Sequence, residues 1–200
     1  MGAFKKISFK VGDAEIKVVV NNKKFIRNLL SLLLDESDDH GSVDKVTGLI
    51  PPPLGTYWKG QGGIYVGLNR GDDGKTYHTI AYPIELKGKW GEYGKDVSGA
   101  TSKNDGYANT LAMIEAGSQL AKDALAVESD DHKDFYLASQ CEVSLCFINA
   151  REQFKQEWHW SSTQYSPHDA WVQHFAYGYQ NDNDKSEALC AFAVRRILAI

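Results

Sequence analysis

Hydrophobic and polar residues alternate along the start of the chain, and the period of the pattern then lengthens. Apolar residues occupy every second position in two runs within 4–20, separated by a turn at 11–14, which predicts two short strands. From Lys23 to Leu34 apolar residues recur every three or four positions, which predicts a helix. Residues 1–46 are therefore expected to form a ββα unit that is too small to be very stable alone and suits anchoring or assembly.

A stiff connector and a larger domain are predicted to follow this unit. Residues 47–53 include three consecutive prolines, a composition that favours an extended linker. The remaining residues, 54–200, contain apolar patterns that predict strands within 56–69 and 77–84 and one long helix over 105–125. This domain is long enough to bury a substantial core.

The second half of the larger domain has sharper local signals. Ser139 and Glu142 have the spacing of a capping box, which predicts that a helix begins there. Alternation over 171–179 predicts a strand with an aromatic face, and 181–185 is predicted to be a polar turn. The apolar segment 188–198 is predicted to be a single buried strand. Several strands, two central helices and long loops indicate an α+β fold.

Composition and charge narrow the classes of function. The chain has 200 residues, is 42% hydrophobic and 24% charged, and carries a net charge of −4, which argues against a nucleic-acid binder that relies on bulk electrostatics. The first twelve residues lack the apolar segment of a signal peptide. The longest apolar run, 29–34, is too short to cross a bilayer. We therefore expect no membrane insertion and synthesis in the cytoplasm of the producing cell.

Aromatic residues concentrate in one polar segment of the larger domain. Three of the five tryptophans fall within 158–171. Trp and Tyr combine a large contact area with a polar group and are enriched at recognition surfaces, which favours a binding module over an enzyme. Six residues are predicted to contact a ligand: Trp158, His159, Tyr165, His168, Tyr177 and Tyr179.

Residues that carry catalysis or bind metals show no recognisable local pattern. Cys141 and Cys146 would lie roughly 8 Å apart on the predicted helix, too far for a disulfide, and with Cys190 they are expected to be reduced. Histidines show no metal-ligand spacing, so no metal or cofactor is predicted. Oxygen-rich runs at 69–73 and 181–184 could supply calcium ligands, although solvated turns are the favoured interpretation.

Four motifs in order resemble the Lcl C-terminal domain family over residues 54–198. They are DGYANT at 105–110, DFYLASQCEV at 134–143, WSST at 160–163 and Val194-Arg195, with Trp171 and Gly178 at similar downstream spacings. The resemblance implies a C-type-lectin-like fold with small antiparallel sheets, found in bacterial surface proteins and in phage genomes. The residues it identifies as structural are Asp105, Asn109, Ser139, Glu142, Trp160, Ser161, Ser162, Trp171 and Arg195. WSST at 160–163 could instead form a binding surface.

These expectations combine into one leading hypothesis. The chain would be a phage-encoded, non-enzymatic virion protein, with the ββα unit bound to other virion proteins. Its lectin-like domain would act as an adhesin for a host-surface glycan or protein, or would decorate the tail or capsid. A homo-oligomer is expected because an appendage of this kind gains avidity. The alternative is an intracellular interaction protein that blocks a host factor, and an enzyme with paired thiolates ranks third.

Overall fold

A computed structural model describes residues 5–11, 14–20 and 50–199 of the chain. The chain divides into two compact units, Met1–Thr47 and Gly48–Ile200. The predicted helix at 23–34 lies outside the described residues, and the linker at 47–53 stays a prediction.

The first unit contains an antiparallel pair of strands. Strand β1 (Lys5–Val11) pairs with β2 (Ala14–Val20), and Val11 lies opposite Ala14 across the turn. Both strands and the position of the turn are as the alternating sequence predicts.

The first sheet of the second unit is antiparallel. Its strands follow the order β3-β4-β5-β12-β7, so the strand nearest the carboxyl end of the chain lies between two earlier ones. The strands are β3 (Tyr57–Trp58), β4 (Gly63–Arg70), β5 (Thr76–Ala81), β7 (Tyr136–Leu137) and β12 (Ala193–Leu198).

The second sheet is mixed, whereas only small antiparallel sheets were predicted. Its order is β10-β9-β8-β11-β6, and β11 runs parallel to β8 while the other neighbours are antiparallel. The strands are β6 (Leu86–Lys89), β8 (Trp158–Gln164), β9 (Asp169–His174), β10 (Gln180–Asp184) and β11 (Ala188–Ala191).

Three α-helices are present in the described residues, and the prediction of two is wrong. They are α1 (Gly106–Glu115), α2 (Gln119–Leu125) and α3 (Gln140–Ala150). The single helix predicted over 105–125 breaks because Gly117 adopts a φ of +98° and Ser118 then caps α2. The predicted capping box of α3 is confirmed, since the Ser139 N–H donates to Glu142 Oε2 at 2.8 Å and the Glu142 N–H donates to Ser139 Oγ.

Two strand predictions and one turn prediction fail in the second sheet and at the crossing between the sheets. The segment 188–198 forms two strands in different sheets, because the chain crosses between the sheets at buried Phe192. The predicted polar turn at 181–185 is largely β10, whose polar side chains suit an edge strand. The aromatic strand predicted over 171–179 stops at His174, where the chain turns.

Two apolar cores lie on opposite sides of the second sheet. One contains Trp90, Met113 and Trp160 together with residues of α1 and α2, and the other contains Phe175 and Phe192 together with residues of α3. Successive side chains of a strand point to opposite faces, so neighbouring residues of β8 enter different environments. Among the residues that the structure describes, no helix has the length and apolar character needed to cross a membrane.

Candidate functional site

The motif residues of α1 and β8 form a buried hydrogen-bond network. Asn109 is fully buried, and its side chain accepts from the Ser102 N–H at 3.0 Å and donates to the Ser102 carbonyl at 2.7 Å. The Thr163 hydroxyl also donates to the Ser102 carbonyl, and it accepts from the Gln140 N–H. The regular pairing of β8 with β9 is interrupted between Trp160 and Gln164. Hydroxyl groups in this stretch of β8 can therefore hydrogen-bond to other segments. The network therefore joins the loop before α1 to β8 and to the start of α3.

The remaining motif residues are also held by structural contacts. Trp160 is fully buried, and Ser161 donates to the Trp171 carbonyl. Arg195 makes two contacts with the Asp134 carboxylate, at 2.7 and 3.0 Å, and Asp105 caps α1. Burial raises the pKa of Glu142, although its carboxylate accepts from the Tyr136 hydroxyl at 2.6 Å. Ser162 lies in the same network, 3.2 Å from Asn109 Nδ2. Asp105 and Trp171 are half-exposed, and Trp171 packs against the exposed ring of Tyr165.

A continuous row of aromatic rings lies at one end of the second sheet. Trp158 and His174 pair across β8 and β9 with ring centres 4.9 Å apart. His174 contacts Tyr177 at 4.8 Å, and Tyr177 contacts Tyr179 at 5.9 Å. We call these four residues the aromatic row. Tyr177 and Tyr179 are 70% and 66% exposed, so the row is open to solvent at its outer end.

The turn that carries the row is fixed by its backbone. The His174 N–H donates to the Tyr179 carbonyl, and the Gly178 N–H donates to the His174 carbonyl, both at 2.8 Å. Gly178 has a φ of +77°, and a Cβ there would lie 2.7 Å from the Phe147 ring of α3. The Ala176 N–H donates to His174 Nδ1, so the neutral ring carries its proton on Nε2. The tyrosines are therefore presented on a rigid turn with a polar donor beside them.

Two other predicted contact residues lie at the opposite end of β9. Tyr165 packs edge-on against Trp171 with ring centres 5.1 Å apart, and the Lys103 ammonium is 5.6 Å from the Trp171 ring. His168 packs against Tyr93 at 4.7 Å. Tyr165 and His168 precede β9 and His174 ends it, so the six residues of the strand separate the two turns by about 17 Å. The predicted contact residues therefore do not form one small site.

A buried lysine holds the turn at this second end. Lys185 Nζ donates to Gln164 Oε1 at 2.7 Å, to the Lys95 carbonyl at 2.9 Å and to the Pro167 carbonyl at 3.0 Å. Its ammonium also lies 4.6 Å from the centre of the Trp90 ring. Burial lowers the pKa of Lys185 to about 8, while Asp96 and Asp169 oppose this shift. The lysine joins the β8–β9 turn to the segment around Lys95.

His159 is not a surface residue, and its predicted ligand contact is wrong. The ring is fully buried, lies parallel to Phe192 at 4.4 Å, and contacts Glu85 through Nε2 at 3.0 Å. Burial lowers the pKa of His159, and the Glu85 contact opposes the shift. The pKa of the Glu85 carboxyl is lowered despite the burial that opposes ionisation, because the Lys155 N–H and His159 bond to it. Since Trp158 points to one face of β8, its neighbour His159 points to the other.

The cysteines are free thiols in the positions that the sequence indicates. Cys141 and Cys146 lie on α3, and Cys190 lies on β11. Burial raises the pKa of all three thiols, although the nearby Lys103 opposes this at Cys141. They do not converge on one another in a disulfide.

The oxygen-rich runs are engaged by protein donors. Asp72 accepts from the Ser102 hydroxyl at 2.5 Å, and Asp73 accepts from the Tyr77 hydroxyl at 2.6 Å. Asp184 accepts from the Ser186 N–H and hydroxyl at the end of β10. The first run therefore bonds to protein donors at a turn, whereas the second lies largely in β10 and was wrongly predicted to be a turn.

Sequence reasoning missed residues that only the fold brings together. His174 completes the aromatic row, and its place opposite Trp158 depends on the pairing of β8 with β9. Glu85 and Cys190 meet His159 from distant parts of the chain, and their donor atoms lie within 4.8 Å of one another. Local spacing carries no signal for such a group.

No protein-family model matches the chain, and no curated protein matches it. The second unit is an α+β domain with two five-stranded sheets and an exposed aromatic row. Membership of the Lcl C-terminal domain family stays a prediction that rests on four sequence motifs.

Proposed function

We propose that the second unit is a C-type-lectin-like binding module that recognises a host-surface glycan or protein through the aromatic row. The chain would be a non-enzymatic virion component encoded by a phage, as the motif resemblance suggests. The observation that carries the proposal is the exposure of Tyr177 and Tyr179 on a turn packed against α3.

The chemistry of the aromatic row suits recognition of an uncharged ligand surface. Its rings offer flat apolar faces that can stack on the C–H face of a sugar or on apolar side chains of a protein. The tyrosine hydroxyls and His174 Nε2 supply hydrogen-bond groups beside those faces. Because the turn is already fixed, binding would lose little conformational entropy. Binding through these rings should therefore depend only weakly on salt concentration.

The first unit would attach the module to other virion proteins. A particle or oligomer that displays several copies of the row converts weak single contacts into strong overall binding by avidity. Attachment to the tail and attachment to the capsid both satisfy this requirement. Decoration without recognition is the outcome expected if the row contributes nothing to adsorption.

The test measures binding of the labelled full-length chain to intact host bacteria. We expect saturable binding that Tyr177→Ala weakens at least about 10-fold, the effect of removing a contact worth about 1.4 kcal/mol. Tyr107→Ala is the matched control, because Tyr107 is an exposed tyrosine on α1 outside the row. Equal loss in both variants, or no loss in either, would contradict recognition through the row.

Mass spectrometry of purified particles tests the virion assignment separately. Presence of the chain in particles together with row-dependent adsorption supports the full proposal. Presence without adsorption identifies a decoration protein. Absence from particles, with recovery of one cytosolic host partner, would replace the proposal by the alternative of an intracellular interaction protein.

A further inference from the structure

Three different metal-binding side chains converge beneath the aromatic row. Glu85 immediately precedes β6, His159 lies on β8 and Cys190 lies on β11, so the three come from adjacent strands of one sheet. Cys190 is directly opposite His159 in the parallel pairing. One donor atom from each residue lies within 4.8 Å of the others.

The hydrogen bonds of His159 define which ring nitrogen is available. Its Nδ1 lies 3.0 Å from the Glu157 backbone carbonyl, which can only accept, so Nδ1 carries a proton. In the neutral ring, Nε2 then presents a lone pair to Glu85 Oε1 at 3.0 Å. Two lone pairs at that distance repel unless a cation, either a proton or a metal ion, lies between them. A backbone carbonyl that orients the second nitrogen is also the usual outer-shell partner of a metal-bound histidine.

We propose that Glu85, His159 and Cys190 form a binding site for a zinc ion. Imidazole nitrogen, thiolate sulfur and carboxylate oxygen are the donors that Zn²⁺ takes in proteins, at roughly 2.0–2.3 Å. A tetrahedral ion places its ligand atoms roughly 3.3–3.8 Å apart. The His159 Nε2–Glu85 Oε1 pair would therefore open slightly from 3.0 Å, and any pair near the 4.8 Å limit of the group would contract. Binding breaks the Cys190 S–H bond and displaces the proton between His159 Nε2 and Glu85 Oε1. It forms Zn–S, Zn–N and Zn–O bonds and releases both protons to solvent.

Charge and surroundings are consistent with this ion. One thiolate and one carboxylate neutralise Zn²⁺, which allows the ion to be buried without a residual charge. Phe192 stacks on the His159 ring at 4.4 Å, and Phe175 contacts it at the same distance, so the ring cannot turn freely. Glu85 Oε2 is 3.4 Å from the Lys155 ammonium, and Oε1 accepts from the Lys155 N–H at 2.6 Å. The second lone pair of Oε1, on the side of His159, remains for the metal.

The fourth ligand position of the proposed zinc ion faces the exposed residue Glu157. Glu157 Oε2 lies 3.6 Å from Cys190 Sγ, and Glu157 is exposed, so its carboxylate or a water can complete the tetrahedron. The same side provides the path by which an ion enters from solvent. A bound zinc would fasten β6, β8 and β11 together at the end of the sheet that carries Trp158.

The experiment titrates the chelator-treated full-length chain with Co²⁺ as a spectroscopic substitute for zinc. We expect one equivalent to bind tetrahedrally, with the near-ultraviolet charge-transfer band of a thiolate–cobalt bond, and excess Zn²⁺ to displace it. Cys190→Ser should abolish that band, whereas Cys141→Ser, which removes a half-exposed thiol on α3, should retain it. Glu85→Gln should weaken zinc binding by more than the roughly 10–100-fold typical of an outer-shell change.

A measurement on the wild-type chain covers the case in which a variant fails to fold. X-ray absorption of the zinc complex should give one sulfur and two or three nitrogen or oxygen neighbours. Absence of stoichiometric binding, a zinc shell without sulfur, or a charge-transfer band that persists in folded Cys190→Ser would each overturn the proposal. In those cases a proton shared between the two residues explains the short distance between His159 Nε2 and Glu85 Oε1.

Discussion

The two ends of β9 both lead into turns with exposed aromatic residues, but different interactions fix the two turns. At the first end, buried Lys185 donates to Gln164 and to the Pro167 carbonyl beside Tyr165. At the second end, Gly178 packs against Phe147 and positions Tyr177. One turn is therefore held by hydrogen bonds from a titratable, charged side chain, and the other by close packing of a glycine against an aromatic ring. The difference teaches that raising the pH through the pKa of Lys185 should act on the first end.

The largest expected effect comes from removing the buried charge. Lys185→Met leaves the Lys95 and Pro167 carbonyls without their donor and removes one of the two donors to Gln164 Oε1, and we expect a loss of about 3 kcal/mol in the free energy of unfolding. Urea unfolding followed by circular dichroism measures it. Lys87→Met is the control, because Lys87 is exposed and should change stability by less than about 0.5 kcal/mol. Similar losses in the two variants would show that the buried contacts contribute little.

A second variant strains the other end of β9. Gly178→Ala puts a Cβ at a φ of +77° and 2.7 Å from the Phe147 ring, so we expect a loss of about 2 kcal/mol in urea unfolding. Gly117→Ala separates strain from overlap, because its φ is +98° but no atom lies within 4 Å of the added Cβ. We expect about 1 kcal/mol there. Equal effects at the two glycines would remove the role assigned to Phe147.

The pH dependence distinguishes the two ends directly. The pKa of Lys185 is about 8 in the folded protein, against 10.5 for an ordinary lysine. Between these values the unfolded chain binds more protons, so the stability of the wild type relative to Lys185→Met should rise with pH, by up to about 1.4 kcal/mol per pH unit. Below pH 8 the lysine is protonated in both states and the difference should be flat. Urea unfolding of both proteins from pH 7 to 10.5 checks this, and a difference that falls with pH contradicts it.

The smallest expected changes in stability come from replacing the exposed tyrosines on the two turns that flank β9. Tyr177 is 70% exposed and Tyr165 is 55% exposed, so Tyr177→Ala and Tyr165→Ala should each alter the free energy of unfolding by less than about 0.5 kcal/mol. Cell binding should separate them, because only Tyr177 belongs to the aromatic row. Loss of binding in Tyr165→Ala alone would move the recognition surface to the other end of β9.

Local signals in the sequence were sufficient where one stretch of chain determines the structure. The capping box of Ser139 and Glu142 joins residues three apart, and the strands of the first unit meet across a short turn. The break at Gly117 also has a local cause, the left-handed backbone of a glycine followed by a capping serine. The overall α+β class follows from such elements.

Prediction failed where a residue's surroundings come from distant segments. Alternation continues through Phe175 to Tyr179, yet Phe175 is buried and the strand has already ended at His174. Trp158 and His159 are adjacent and equally aromatic, but the sheet places one at the surface row and the other in the core. Which face is buried depends on α3 and β11, and the sequence around 158–159 does not contain that information.

The crossing of the chain at Phe192 has a consequence for the order in which the second unit folds. β11 fills the gap between β6 and β8, and β12 fills the gap between β5 and β7. Neither sheet can form completely until residues 188–198 have left the ribosome. During synthesis the strands on either side of each gap therefore keep unpaired edges. Such edges favour aggregation, and we expect the nascent chain to depend on chaperones until its last strands emerge.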